Sequence, residues 1–221
     1  MSANRITLQC ILFGALNVSL FLFSPSWPAT AAVYNVPPDI LGDFETIGAG
    51  DTLNVFDTGV VGDMFTAGSR STVNIYGGSI GGDFFFVDST VTIRGGEAGL
   101  LGGASGSNIE MSGGSIDIDF NLLSSSTMNM SGGSIGEFSR MRESTLNLSG
   151  GSLLDFFSVQ AGGVLNISGG SVGHSFAAQG GVLNLFGTDF KLDGVPIPGV
   201  VLGTPLTISE REVTLTAVLA D

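Results

Sequence analysis

Asparagine, or a residue standing in its place, recurs at positions 54, 74, 92, 110, 129, 147, 166 and 184, in steps of 18 to 20 residues. One copy reads Thr145-Leu146-Asn147-Leu148-Ser149-Gly150-Gly151-Ser152, and Met128-Asn129-Met130-Ser131-Gly132-Gly133-Ser134 and Leu165-Asn166-Ile167-Ser168-Gly169-Gly170-Ser171 repeat it. Eight units on so short a period leave few folds open. No unit can bury its own apolar residues, so neighbours must stack.

Within a unit the apolar residues alternate: Val73/Ile75, Val91/Ile93, Ile109/Met111, Leu146/Leu148 and Leu183/Leu185. Period two marks a strand with one buried face, and Thr, Asn and Ser fall on the other. A Gly-Gly pair follows and permits a sharp corner. Two residues on stands a second apolar position, Ile80, Ile116, Ile135, Leu153 or Val172. Then come aromatics, Phe65, Phe84 to Phe86, Phe120, Phe138, Phe156-Phe157 and Phe176. Small or polar residues such as Asp88-Ser89, Ser124 to Ser126 and Glu143-Ser144 close the turn.

These features predict an all-β chain, a single-stranded parallel β-helix (β-solenoid) of about eight coils, stacked at ~4.8 Å. Eighteen residues is also three hexapeptides, the left-handed repeat length. The three parts of each unit differ from one another, however, which favours the right-handed form. The array is expected over residues 51–188. Residues 33–50, with Pro37-Pro38, are expected to cap the first strand edge. Residues 189–221, including a strand-like Glu210 to Leu219, are expected to cap the other end.

Residues 1–32 read as an export signal: Arg5, an apolar run from Ile11 to Phe23, then Ala29-Thr30-Ala31-Ala32, an A-x-A site cleavable after Ala31 or Ala32. The run is shorter than a membrane span, and no later segment reads as one. The whole chain carries a net charge of −13, and its signal removes one cation and no acid. That disfavours nucleic acid and anionic lipid as partners. Cys10, the one cysteine, lies in the signal, so neither disulfides nor thiolate metal sites are expected in the exported part. Localisation is expected to be secreted or cell-surface.

The array, the opening Val33-Tyr34-Asn35-Val36-Pro37-Pro38, the segment Thr52-Leu53-Asn54-Val55-Phe56-Asp57 and the close Leu185-Phe186-Gly187-Thr188-Asp189-Phe190 with Leu192-Asp193-Gly194 carry a likeness. The chain resembles exported β-helix repeat proteins of planctomycete-type bacteria, many of them predicted surface proteins, some with a C-terminal sorting segment of the PEP-CTERM kind. The resemblance implies fold and export, and it implies no activity and no catalytic residues. No sorting segment of that kind is found in these 221 residues.

Two outward columns are candidate sites. Asn54, Asn74, Asn129, Asn147, Asn166 and Asn184, flanked by Thr72, Thr127, Thr145 and by Ser112, Ser131, Ser149, Ser168, read first as an amide ladder between coils. They also form a repetitive face for extracellular polymers or like solenoids. An ice-ordering lattice is the weaker alternative, because within the array Thr-x-Thr occurs only at Thr90-x-Thr92. The N-x-S matches at Asn129, Asn147 and Asn166 follow from the repeat itself.

The second column is Asp63, Asp83, Asp119, Glu137, Asp155 and His174. A solvated acidic edge is the simplest reading. Ca²⁺ between coils suits the oxygen donors, but the spacing of Gly77-Gly78-Ser79-Ile80-Gly81-Gly82-Asp83 does not match the Ca²⁺ nonapeptide. A polysaccharide lyase or hydrolase would draw on Asp119, Glu137, Asp155, Arg140, Arg142 and His174, with carboxylates roughly 5–9.5 Å apart. One or two coil steps satisfy that distance almost anywhere, and no unit carries the long insertion on which such sites are built. No catalytic residue, cofactor or metal ligand is therefore assigned, and a structural or adhesive role is expected.

Overall fold

The computed structural model describes residues 30–186 and, as backbone, the strands Thr188–Leu192, Val195–Pro196 and Leu215–Val218. Most of the expected signal (1–29) lies outside the described residues. Ala31–Asp221 forms one compact unit. Among the described residues no helix is long and apolar enough to cross a membrane.

The fold is a β-solenoid. Each coil contributes one strand to a long parallel sheet, in the order Val33–Val36, Thr52–Val55, Thr72–Ile75, Thr90–Ile93, Asn108–Ile116, Thr127–Ile135, Thr145–Leu148, Val164–Ile167 and Val182–Leu185. After the Gly-Gly corner, short strands such as Ser79–Ile80 and Ser152–Leu153 form a second side. A third side runs from Thr46–Ile47 through Phe85–Val87 and Arg140–Met141 to Ala177–Gln179. The neighbouring strands of the coils pair in parallel, because one coil step returns the chain to the same position in the same direction.

Register is kept from coil to coil over the four alternating positions of the first side, and it shifts past Met111, where Ser112 pairs with Gly132. Leu146 pairs with Leu165 and Leu165 with Leu183, so the aliphatics pile in one line as the alternation requires. Ile80, Ile116, Ile135, Leu153 and Val172 are all buried on the second side. Each such side chain contributes roughly 1.5–3 kcal/mol, and stacking supplies the contacts that no single coil can make. The corner serines Ser71, Ser89, Ser107, Ser126 and Ser144 turn inward and are buried. Their hydroxyls stay satisfied; Ser71 Oγ donates to the Gly68 carbonyl at 2.6 Å and Ser144 Oγ to that of Leu122 at 3.0 Å.

The aromatic column differs in part from expectation. Phe65, Phe84, Phe86, Phe120, Phe157 and Phe176 are buried, but Phe85, Phe138 and Phe156 are exposed. In the Phe138 coil the inward position belongs to the next residue, buried Ser139. At Gly102 the inward position has no side chain, and the Phe84 ring fills the space where a Cβ would stand. Phe84 and Phe120 then stack across that coil at 6.2 Å.

Gly151 shows why the corner is glycine. Its φ is +88°, and a Cβ there would meet the Gly133 carbonyl oxygen of the coil before at 2.6 Å. Both the backbone conformation and the coil spacing exclude a side chain.

Within the segment expected as an N-terminal cap, Val33–Val36 lies beside Thr52–Val55 as a further parallel rung. Val33 pairs with Thr52, Asn35 with Asn54 and Val36 with Val55. Beyond Leu185 the parallel pattern ends: Thr188–Leu192 pairs antiparallel with both Val195–Pro196 and Leu215–Val218. The rest of the expected C-terminal cap lies outside the described residues.

Candidate functional site

Alternation on the first side leaves two outward ladders. One runs Val33, Thr52, Thr72, Thr90, Asn108, Thr127, Thr145, Val164, Val182. The other runs Asn35, Asn54, Asn74, Thr92, Glu110, Asn129, Asn147, Asn166, Asn184 in the same register. The strands are paired without a gap, so the face is continuous along the array.

The amides bond coil to coil with one polarity. Asn54 Nδ2 donates to Asn35 Oδ1 and Asn74 Nδ2 to Asn54 Oδ1, both at 2.9 Å. A second run starts at Glu110: Asn129 Nδ2 donates to Glu110 Oε1 at 2.6 Å, Asn147 to Asn129 and Asn166 to Asn147 at 2.7 Å, and Asn184 to Asn166 at 2.8 Å. A carboxylate suits the first place of a run, since that residue has only to accept. Thr92 separates the two runs. This is the ladder that the sequence predicts, extended by Asn35 and by Glu110.

Beside it runs a third outward position: Phe56, Tyr76, Arg94, Ser112, Ser131, Ser149, Ser168. Phe56 and Tyr76 stack at 5.3 Å and the Arg94 guanidinium lies 5.6 Å from the Tyr76 ring. Ser149 Oγ turns back to the Met130 carbonyl at 3.2 Å.

The acidic column is not one column. In each coil one corner residue adopts a left-handed conformation: Phe44, Met64, Asp83, Leu101, Asp119, Phe138, Phe156 and Ser175, with φ between 54° and 63°. Its N–H donates to the carbonyl of the preceding corner position one coil on, as Asp119 to Glu137 at 2.9 Å and Phe156 to His174 at 2.9 Å. Asp83 and Asp119 occupy the left-handed position itself. Asp63, Glu137, Asp155 and His174 occupy the position before it. The acids stand either four or five residues past the second corner glycine, and that single step puts them on different positions of the turn.

Asp63 and Asp155, with Asp43 in the first coil, hold corners through backbone N–H groups. Asp43 Oδ1 accepts the Asp63 N–H at 3.0 Å, Asp63 Oδ1 that of Gly82 at 2.8 Å, and Asp155 Oδ1 that of His174 at 2.7 Å. Asp119 Oδ1 pairs with Arg140 Nη2 at 2.7 Å, with both side chains partly exposed. Glu137, Asp155 and His174 are thus brought into successive coils of one outer corner, with Asp119 offset by a residue; Arg142 is exposed one residue beyond the Arg140–Met141 strand. Among the described residues no group of three or more His, Cys, Asp or Glu side chains is placed to hold a metal ion. On the same corner the Phe138 and Phe156 rings lie parallel, 4.7 Å apart. Sequence reading put these rings inside, because adjacent Phe156 and Phe157 are indistinguishable until the left-handed turn decides which one faces out.

The Asp51 carboxyl is held below its ordinary value by the N–H groups of Ala32 and then Gly48. They donate to Oδ1 at 2.8 Å and to Oδ2 at 2.7 Å. Comparison with protein-family models, with characterised proteins and with solved structures finds no match for this chain, so its functional reading rests on the geometry of its own residues.

Proposed function

We propose that the chain is an exported structural or adhesive solenoid that binds extended polymers, or neighbouring copies of itself, through its long Thr/Asn face. The observation that carries this reading is the unbroken face of in-register strands with its outward Thr and Asn ladders. Along two ladders from Val33 to Asn184 the only charge is Glu110. Hydroxyls and amides at a repeat of ~4.8 Å give a linear polymer many weak, equivalent hydrogen bonds, and affinity then grows with the length engaged.

Export to the surface is supported by the leading Arg5, apolar run and A-x-A site, and by the resemblance to surface β-helix proteins. The acidic corner is read as structural, since Asp155 accepts a backbone N–H and Asp119 an Arg140 bond.

The test is sedimentation of the purified protein with insoluble neutral polysaccharides, and measurement of self-association in their absence. Thr127→Lys with Thr145→Lys should abolish whichever association is found, while Asp119→Asn and Asp155→Asn should leave it intact. Association that survives the lysine pair would sink the reading.

A further inference from the structure

Ala32 is the first residue bonded into the coils. Its N–H donates to Asp51 Oδ1 at 2.8 Å, and its carbonyl accepts the Thr52 N–H at 2.8 Å. Thr30 and Ala31 before it are exposed. Later coils repeat the first of these bonds with a neutral acceptor: the Ser89 N–H reaches Ser107 Oγ at 3.1 Å, and the Ser107 N–H reaches Ser126 Oγ at 3.3 Å. Only beneath Ala32 is the serine of that position replaced by a carboxylate.

We propose that export processing cuts the Ala31–Ala32 bond and that Asp51 is the binding site for the new α-ammonium of Ala32. Two independent features select that bond. Ala29-Thr30-Ala31 places alanine at both the first and third residues before it, whereas a cut after Ala32 would put Thr30 third. A cut after Ala32 would also discard both bonds that Ala32 makes to the second coil. The reaction is hydrolysis by the exporting host's signal-processing protease. Water adds hydroxyl to the Ala31 acyl carbon and a proton to the Ala32 nitrogen, which is protonated again at neutral pH. A charged donor then faces Asp51 in place of an amide, and charge-assisted bonds are the stronger kind. The pair pins the first rung, whose only strand neighbour among the described residues is Thr52–Val55. The proposal rests on the export reading above.

The full chain, exported from a bacterial host that processes a control protein, is examined by intact mass and N-terminal sequencing. A chain beginning at Ala32 supports the proposal. One beginning at Val33 or at another bond after the Ile11-to-Phe23 run overturns it and leaves export standing. One that keeps that run overturns both. The ion pair is tested by comparing the processed chain with one kept a residue longer at Ala31, in which the Ala32 nitrogen stays an amide. The processed chain is expected to melt higher, and the difference to vanish in Asp51→Asn. Equal melting of the two in the unsubstituted protein overturns the pairing.

Discussion

Asn147 donates its side-chain Nδ2 to Asn129 Oδ1 at 2.7 Å while its own Oδ1 accepts from Asn166 at the same distance. The amide is used at both ends, and each coil depends on the one before and the one after. Asn147→Ala should leave Asn129 Oδ1 and Asn166 Nδ2 without these partners. The expected loss is about 1–2 kcal/mol by denaturant titration, for two partly exposed bonds. Asn147→Asp keeps the acceptor for Asn166 but sets a carboxylate oxygen against Asn129 Oδ1, so it should also be less stable than wild type. An Asp variant as stable as wild type would contradict the polarity of the ladder.

Phe156 and Phe157 are adjacent and chemically identical, and their environments are opposite. Phe157→Ala should cost about 3–5 kcal/mol, the usual range for emptying a buried aromatic site. Phe156→Ala removes only an exposed stack with Phe138, worth about 0.5–1.5 kcal/mol. Chemical denaturation of the two variants side by side decides the matter.

Gly151→Ala should be destabilising by roughly 1–3 kcal/mol, although alanine is normally the more stable choice in folded backbone. The φ of +88° and the Gly133 carbonyl both oppose the methyl group. Gly162 also has positive φ, 75°, but its nearest neighbour to an added Cβ is the Glu143 side chain at 3.1 Å. Gly162→Ala should therefore be the milder of the two by melting temperature.

The Asp51 carboxyl is lowered from an ordinary value of 3.8 by its bonds to Ala32 and Gly48 N–H groups. The folded state thus holds the ionised form more tightly than the unfolded chain does. Its contribution to stability is fully present above pH 3.8 and is lost as pH falls through the lowered value. Asp51→Asn should be less stable at neutral pH and should lose less on acidification. Parallel curves for the two proteins from pH 6 to pH 2 would refute this.

The coil, its period and its inner and outer residues are legible in the sequence because two facts combine. Side chains in a strand alternate with a period of two, and identical units must stack in register to bury what none can bury alone. Leu146, Leu165 and Leu183 in one line, and the Asn ladder beside them, follow from that arithmetic. The first rung was hidden because Val33-Tyr34-Asn35-Val36 ends in Pro37-Pro38 rather than Gly-Gly, though its Asn35 already carried the repeat's mark.

What only the tertiary structure decided lies at the corners. Whether Phe138 or Ser139 turns inward, and whether Asp119 stacks with Glu137 or stands one place on, depends on which residue takes the left-handed turn. That choice is fixed by an N–H bond to the next coil, roughly eighteen residues away, and not by any local preference of Phe or Asp. Strand periodicity is a property of neighbours in the chain; corner geometry is a property of neighbours in the stack.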